Sequence, residues 1–174
     1  MALKSIIKTF GLARDYLKMT PAEKEFISRY HYDGEVISVV QRETTKQDDP
    51  FLGETFRVDS AARFLWVTAA NAIPHGQWSF AEKLLQRALE LASPDSEIHH
   101  YRDSKTQPSP DSIRDLAHIH ANLAQLYADQ VHSNPAAAAQ CLHHARETVK
   151  TGYFVPWAEK LCREIQEKSK GTLS

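Results

Sequence analysis

The stretch Gly76-Gln77-Trp78-Ser79-Phe80-Ala81-Glu82-Lys83-Leu84-Leu85-Gln86-Arg87-Ala88-Leu89-Glu90-Leu91 decides the fold. It reads as a short turn followed by a helix with Ala81 and Ala88 seven residues apart on one face. Small side chains at that spacing let a second helix approach closely, while Leu84, Leu85 and Leu91 fill the flanking volume. Upstream, Asp59 or Ser60 caps a helix that reaches about Ile73, and Pro74-His75-Gly76 turns the chain back. Two helices joined by a tight turn are therefore the expected unit.

The remaining residues repeat the same punctuation. Ser109-Pro110 starts a helix to about Gln130, and Ser133-Asn134-Pro135 opens another that ends near Thr151-Gly152. Pro156 starts a final amphipathic helix with Trp157, Leu161, Cys162 and Ile165 in its apolar stripe, and the chain is expected to fray from Lys168. Near the N-terminus, residues 3–18 place Leu3, Ile6, Ile7, Phe10, Ala13 and Leu17 at helical spacing, which predicts one helix weakened at Gly11. Thr20-Pro21-Ala22-Glu23 is a capping box, predicting a second helix to about Tyr32, where Asp33-Gly34 breaks it. Residues 35–45 are rich in β-branched side chains but show no strand partner, so helix is the expectation there. Residues 46–54 read as a loop, and a helical piece is expected around Asp95 to Asp103 within the long connection 93–110.

These residues resemble the tetratricopeptide-repeat family, whose ~34-residue units are helix-turn-helix pairs. In a first unit, Leu65, Thr68, Ala69 and Ala72 occupy the signature places of the first helix. Gly76, Trp78, Ala81, Leu85 and Ala88 occupy those of the second. In a second unit, His120 and Leu123-Ala124-Gln125-Leu126-Tyr127 match a first helix, and Ala138, Leu142 and Ala145 a second. Ala81 and Ala138 lie 57 residues apart, an excess over one period that the 93–110 connection absorbs. Residues 153–167 resemble the solvating helix that closes such arrays.

The resemblance implies an all-α fold of antiparallel helical hairpins stacked as a short right-handed array. On it, residues 1–174 form a single domain. It divides into an N-terminal helical extension (1–59), a first hairpin (60–94), a connection (95–110), a second hairpin (111–152) and a closing helix and tail (153–174). It also implies a concave groove lined by the first helices. Carried over by position, the groove residues are Arg63, Trp66, Ala70 and Ile73 in the first unit, and His118, Ala121, Gln125 and Ala128, with Asn122, in the second. Trp66 is the expected anchor, unless it packs beneath the N-terminal helices instead. Arg63, Asn122 and Gln125 are suited to a peptide backbone or a carboxylate. Family members that grip a chaperone's C-terminal carboxylate use a Lys and Asn pair where this chain has Trp66 and Ala70, which argues against that ligand.

Composition bounds the function classes. A chain of 174 residues with 42% hydrophobic and 25% charged residues is that of an ordinary single globular domain. A formal charge of -1 supplies no basic excess to neutralise phosphates, so no nucleic-acid partner is expected. Cys141 and Cys162 form neither a CxxC pair nor a disulfide framework, which suits a reducing, cytoplasmic setting. No apolar run approaches the ~20 residues that cross a bilayer.

Nine histidines raise the question of a metal or acid–base site. Asp111, Asp115 and His118 share a helical face, with Asn122 one turn further. The two aspartates are as well explained by the positive end of the helix dipole. No HExxH, Gly-x-Ser-x-Gly or phosphate loop occurs. The expectation is a non-enzymatic protein- or peptide-binding adaptor or scaffold with no cofactor, no catalytic residue and no metal. The alternatives are a peripheral membrane protein using the amphipathic helix of residues 1–18, a metal-binding helical protein, or, for the fold, an irregular all-α bundle.

Overall fold

A computed structural model of the chain describes residues 3–29, 36–38, 50, 55–57, 60–92 and 110–171. Apart from one short ribbon these residues are helical or turn, so the all-α class holds. In chain order the helices are α1 (Leu3–Thr9), α2 (Ala13–Lys18), α3 (Pro21–Arg29), α4 (Ala61–Ala72), α5 (Trp78–Ala92), α6 (Pro110–Gln130), α7 (Ala137–Thr151) and α8 (Val155–Gly171). The ribbon pairs β1 (Val36–Ser38) antiparallel to β2 (Thr55–Arg57), with Ile37 opposite Phe56, and β1 lies against α4. No described helix is long and apolar enough to cross a membrane.

Local capping chemistry sets most boundaries. Thr20 N–H donates to Glu23 Oε2 at 2.8 Å and Glu23 N–H to Thr20 Oγ1 at 3.2 Å, the reciprocal pair of a capping box. Ser60 accepts from Arg63 N–H and starts α4. That helix runs into a 3-10 turn, Ile73–His75, which Gly76 ends at φ 72°. Gly76 N–H then reaches Ile73 O and Gln77 N–H reaches Ala72 O, which satisfies carbonyls left at the helix end.

Four expectations are corrected. Residues 3–18 form two helices, because Gly11 adopts φ 67° and the N–H groups of Gly11 and Leu12 bond back to Lys8 O and Ile7 O. This is a Schellman closure, and only a residue at ease in the left-handed region makes it without strain. Residues 36–38 are a strand, since Val36 and Ile37 find partners in Arg57 and Phe56. The final helix continues past Lys168 to Gly171, aided by Ser169 Oγ bonding to Ile165 O and by Lys168 and Lys170 at its negative end. Leu91 is largely exposed and does not fill the core. The expectations for residues 39–45 and 95–103, and all but Pro50 of the 46–54 loop, lie outside the described residues.

The core is organised around α4. Every residue from Ala62 to Ala72 is buried, so the helix is enclosed on all sides. It packs on α5 and on α6; α5 also packs on α6, α6 on α7, and α7 on α8. Ala81, Leu85 and Ala88 of α5 have no exposed surface. In α7 the fully buried small residues are Ala137, Cys141 and Ala145, with Ala138 and Leu142 flanking them. Burial pushes the Cys141 thiol up to about 12, so it behaves as a small hydrophobe.

The N-terminal helices dock on the same body. Ile6, Leu12, Phe26 and Ile27 join the core, and Phe26 meets Phe80 edge-on at 6.0 Å. Two ion pairs tie this layer to α5: Asp15 to Arg87 and Glu23 to Lys83, both at 2.9 Å. Burial raises the Glu23 pKa, but Lys83 and Thr20 together hold it below the usual carboxylate range.

Ala81 gives the simplest test of this packing. Ala81→Leu adds three carbons where no space exists, and urea unfolding should show a loss of about 1–3 kcal/mol. An unchanged midpoint would mean that close helix approach at Ala81 is not required.

Candidate functional site

The groove residues expected from sequence fall in two different places. Arg63, Trp66, Ala70, Ile73, His118, Ala121 and Asn122 are buried, and Gln125 and Ala128 are partly exposed. Among the buried ones are those that build the junction between α4 and α6. Asp115 Oδ1 accepts from Arg63 Nε and from Trp66 Nε1, each at 2.9 Å, and Oδ2 accepts from Arg63 Nη2 at 3.2 Å. Three charge-assisted bonds on one carboxylate explain how an ion pair is held in the interior. Asp115 came forward in sequence only as a candidate metal ligand, because its partners lie 49 and 52 residues away.

Aromatic contacts extend this junction. The His118 ring stacks on Trp66 with centroids 4.4 Å apart and planes within 4°. Phe154 meets the other side of His118 at 4.8 Å in an edge-on contact. Phe154 does so from a left-handed backbone conformation, φ 57°, which is strained for a bulky residue. Burial, and then the positive charges of Arg114 and Arg63, push His118 down to about 3, so it is neutral at physiological pH. Asn122 turns its Nδ2 to His118 O at 2.8 Å. With Asp115 committed to Arg63 and Trp66, it is not poised to bind a metal beside His118. Among the described residues no three His, Cys, Asp or Glu side chains converge as a ligand set.

A second buried polar pair joins α6 to α7. His120 Nδ1 and His144 Nδ1 lie 3.0 Å apart, so one ring donates and the other accepts. Tyr127 stacks near His144, with centroids 5.7 Å apart, and donates its hydroxyl to Glu82 of α5 at 2.6 Å. Burial is the main cause that lowers both histidines to about 4. His118 and His120, two residues apart on one helix, thus serve opposite sides of α6.

What remains open to solvent is a groove of about 410 Å³ where the start of α5, the end of α6 and α8 meet. Trp78 and Trp157 stand in its wall, Gln125 and Ala128 come from α6, and Lys160 and Glu164 come from α8. Trp78 is 48% exposed, an unusual state for so large an apolar side chain. Gln125 Nε2 is held by Asp129 Oδ1 at 2.8 Å, which leaves its carbonyl oxygen as an acceptor beside the indoles. This surface presents aromatic area and paired polar groups, which is the chemistry of recognition. Trp78 and Trp157 appear in the sequence only as helix-start and stripe positions. The signal available for Trp78 was its place in the first turn of α5, immediately after the glycine turn.

No protein-family model, curated protein or solved structure matches this chain. The reading of the site therefore rests on its geometry.

Two predictions follow from the buried polar groups. Asp115→Asn leaves the Arg63 guanidinium facing a neutral acceptor in the interior, and urea unfolding should register a loss of about 3–5 kcal/mol. A loss below about 1 kcal/mol would show that the carboxylate does not hold α4 to α6. The second concerns pH. His118, His120 and His144 have folded pKa values below the ordinary 6.5, so the unfolded chain binds more protons as pH falls. Their stabilising effect is complete above about pH 6.5 and is lost progressively as pH falls, toward about pH 4 for His120 and His144 and about pH 3 for His118. The melting temperature should therefore decline steadily across that window, and less steeply in a folded His144→Gln variant. A flat profile would contradict the burial of the neutral rings.

Proposed function

We propose that this chain is a non-catalytic protein- or peptide-binding module, built as tetratricopeptide-like hairpins (α4 with α5, α6 with α7) closed by α8. The packing of α4 on α6, and of each helix on its successor, supports that reading. The recognition surface we assign is the groove at Trp78, Gln125 and Trp157. The observation that carries it is the half-exposed Trp78 beside the second indole, in an opening of about 410 Å³. Exposed, rigid aromatic side chains supply most of the energy at protein interfaces. The histidine-bearing clusters support a non-catalytic role, because His118, His120 and His144 lie beneath the surface.

In this role the Arg63–Asp115–Trp66–His118 junction is scaffold, and Gln125 and Ala128 are the sequence-derived positions that meet the partner. An extended peptide would lay apolar side chains against the two indoles and a backbone N–H against Gln125.

The test is selection of binders from a random peptide library on the intact protein. Selected peptides are then titrated by fluorescence polarisation against Trp78→Ala, Gln125→Ala and Trp157→Ala. Trp78→Ala should weaken binding by at least about tenfold, the effect of losing an interface anchor. Peptides that bind all three variants as tightly as the parent would place recognition elsewhere, and a library yielding no binder would defeat the groove reading.

A further inference from the structure

Helices α1 and α2 carry an excess of positive side chains. Lys4 and Lys8 are four residues apart on α1, and Arg14 and Lys18 are four apart on α2, so each pair shares a helix face. All four side chains are exposed, and none makes an ion pair among the described residues. Elsewhere the exposed cations are of both kinds: Arg29, Lys83, Lys150 and Lys160 pair with Glu25, Glu23, Glu147 and Glu164, while Arg146, Arg163 and Lys170 make no ion pair among the described residues. The one acid in α1 and α2, Asp15, is turned toward Arg87 of α5. Within a chain of net charge -1, the first two helices thus hold four cations to one acid, and that acid is turned inward.

The apolar groups on this face are equally specific. Ile6 and Leu12 are spent on the core, but Leu17 is 74% exposed, between Arg14 and Lys18 in the last turn of α2. An aliphatic side chain standing among cations suits a surface that is charged outside and hydrocarbon beneath. A single-stranded nucleic-acid surface would call for exposed aromatic platforms. The aromatic residues here, Phe10 and Tyr16, are partly buried, and Lys24 lies 5.3 Å over the Tyr16 ring.

We infer that the outer face of α1 and α2 docks the protein on anionic lipid bilayers, with Lys4, Lys8, Arg14 and Lys18 against the headgroups and Leu17 dipping below them. This differs from insertion of the whole amphipathic stripe, because Ile6 stays in the core with Leu3, Ile7 and Phe10 packed against it. It is independent of the peptide groove, whose residues lie on α5, α6 and α8. The attachment is electrostatic, shallow and reversible, and each cation near an anionic leaflet contributes about fivefold in partitioning.

Co-sedimentation of the intact protein with vesicles tests it, using phosphatidylcholine alone or with about 30 mol% phosphatidylserine. Pelleting is expected only with the anionic vesicles at about 0.1 M salt, and should be lost at about 0.5 M. Lys4→Gln with Lys8→Gln, and Arg14→Gln with Lys18→Gln, should each lower partitioning by about 25-fold, and the quadruple variant by several hundredfold. Leu17→Ser should weaken binding with the salt dependence unchanged. Trp78→Ala, altered in the other site, should pellet as the parent does. These substitutions replace exposed side chains, and circular dichroism verifies that the variants fold. Absence of pelleting with anionic vesicles overturns the inference. So does pelleting that the quadruple variant retains, or a preference for heparin or RNA over vesicles in competition.

Discussion

One carboxylate joins two helices through residues that lie 49 and 52 positions from it in the chain. Asp115 takes three hydrogen bonds from Arg63 and Trp66, and through them α4 and α6 acquire a fixed relative position. Apolar burial alone would allow the two helices to slide by a turn at small cost, since one Ala- or Leu-lined face resembles the next. A buried charge that must meet two particular donors removes that freedom. The Trp66 indole is oriented by the same bond, which in turn sets the stacking of His118 and the approach of Phe154. The turn between α7 and α8 therefore takes part of its geometry from α4, far away in sequence.

The fold was legible wherever the chain states its boundary locally. The Thr20–Glu23 box, the Ser60 cap, Gly76 and the Pro110 start each sit within a few residues of the helix end they control. Gly11 shows the limit of that rule. Its residue type permits both a weakened helix and a left-handed closure, and only the docking of Ile6 and Leu12 into the core selects the second. The ribbon was hidden for a related reason: Val36–Ser38 becomes a strand through Thr55–Arg57, a three-residue segment too short to stand out by its own propensity.

The candidate site was less legible than the fold. Position-by-position transfer assigned Trp66 and Arg63 to a groove because it carried no information about Asp115 beneath them. A buried polar partner nearly fifty residues away is invisible to helical periodicity. Gln125 came through because it sits on a face of α6 that is left partly open, while its neighbours Ala124, Leu126 and Tyr127 are buried. Trp78 and Trp157 show the converse problem. Hydrophobic residues near helix starts read as core, and their exposure emerges only once the ends of three helices are placed together.

The contact between His120 and His144 gives the interior a property that packing alone does not. A single proton occupies the 3.0 Å gap between the two Nδ1 atoms, so the rings are held in unlike tautomers. The α6–α7 seam is therefore directional as well as apolar: neither helix can turn about its own axis without parting the two nitrogens. Tyr127, stacked near His144 and bonded to Glu82, extends that polar link to α5.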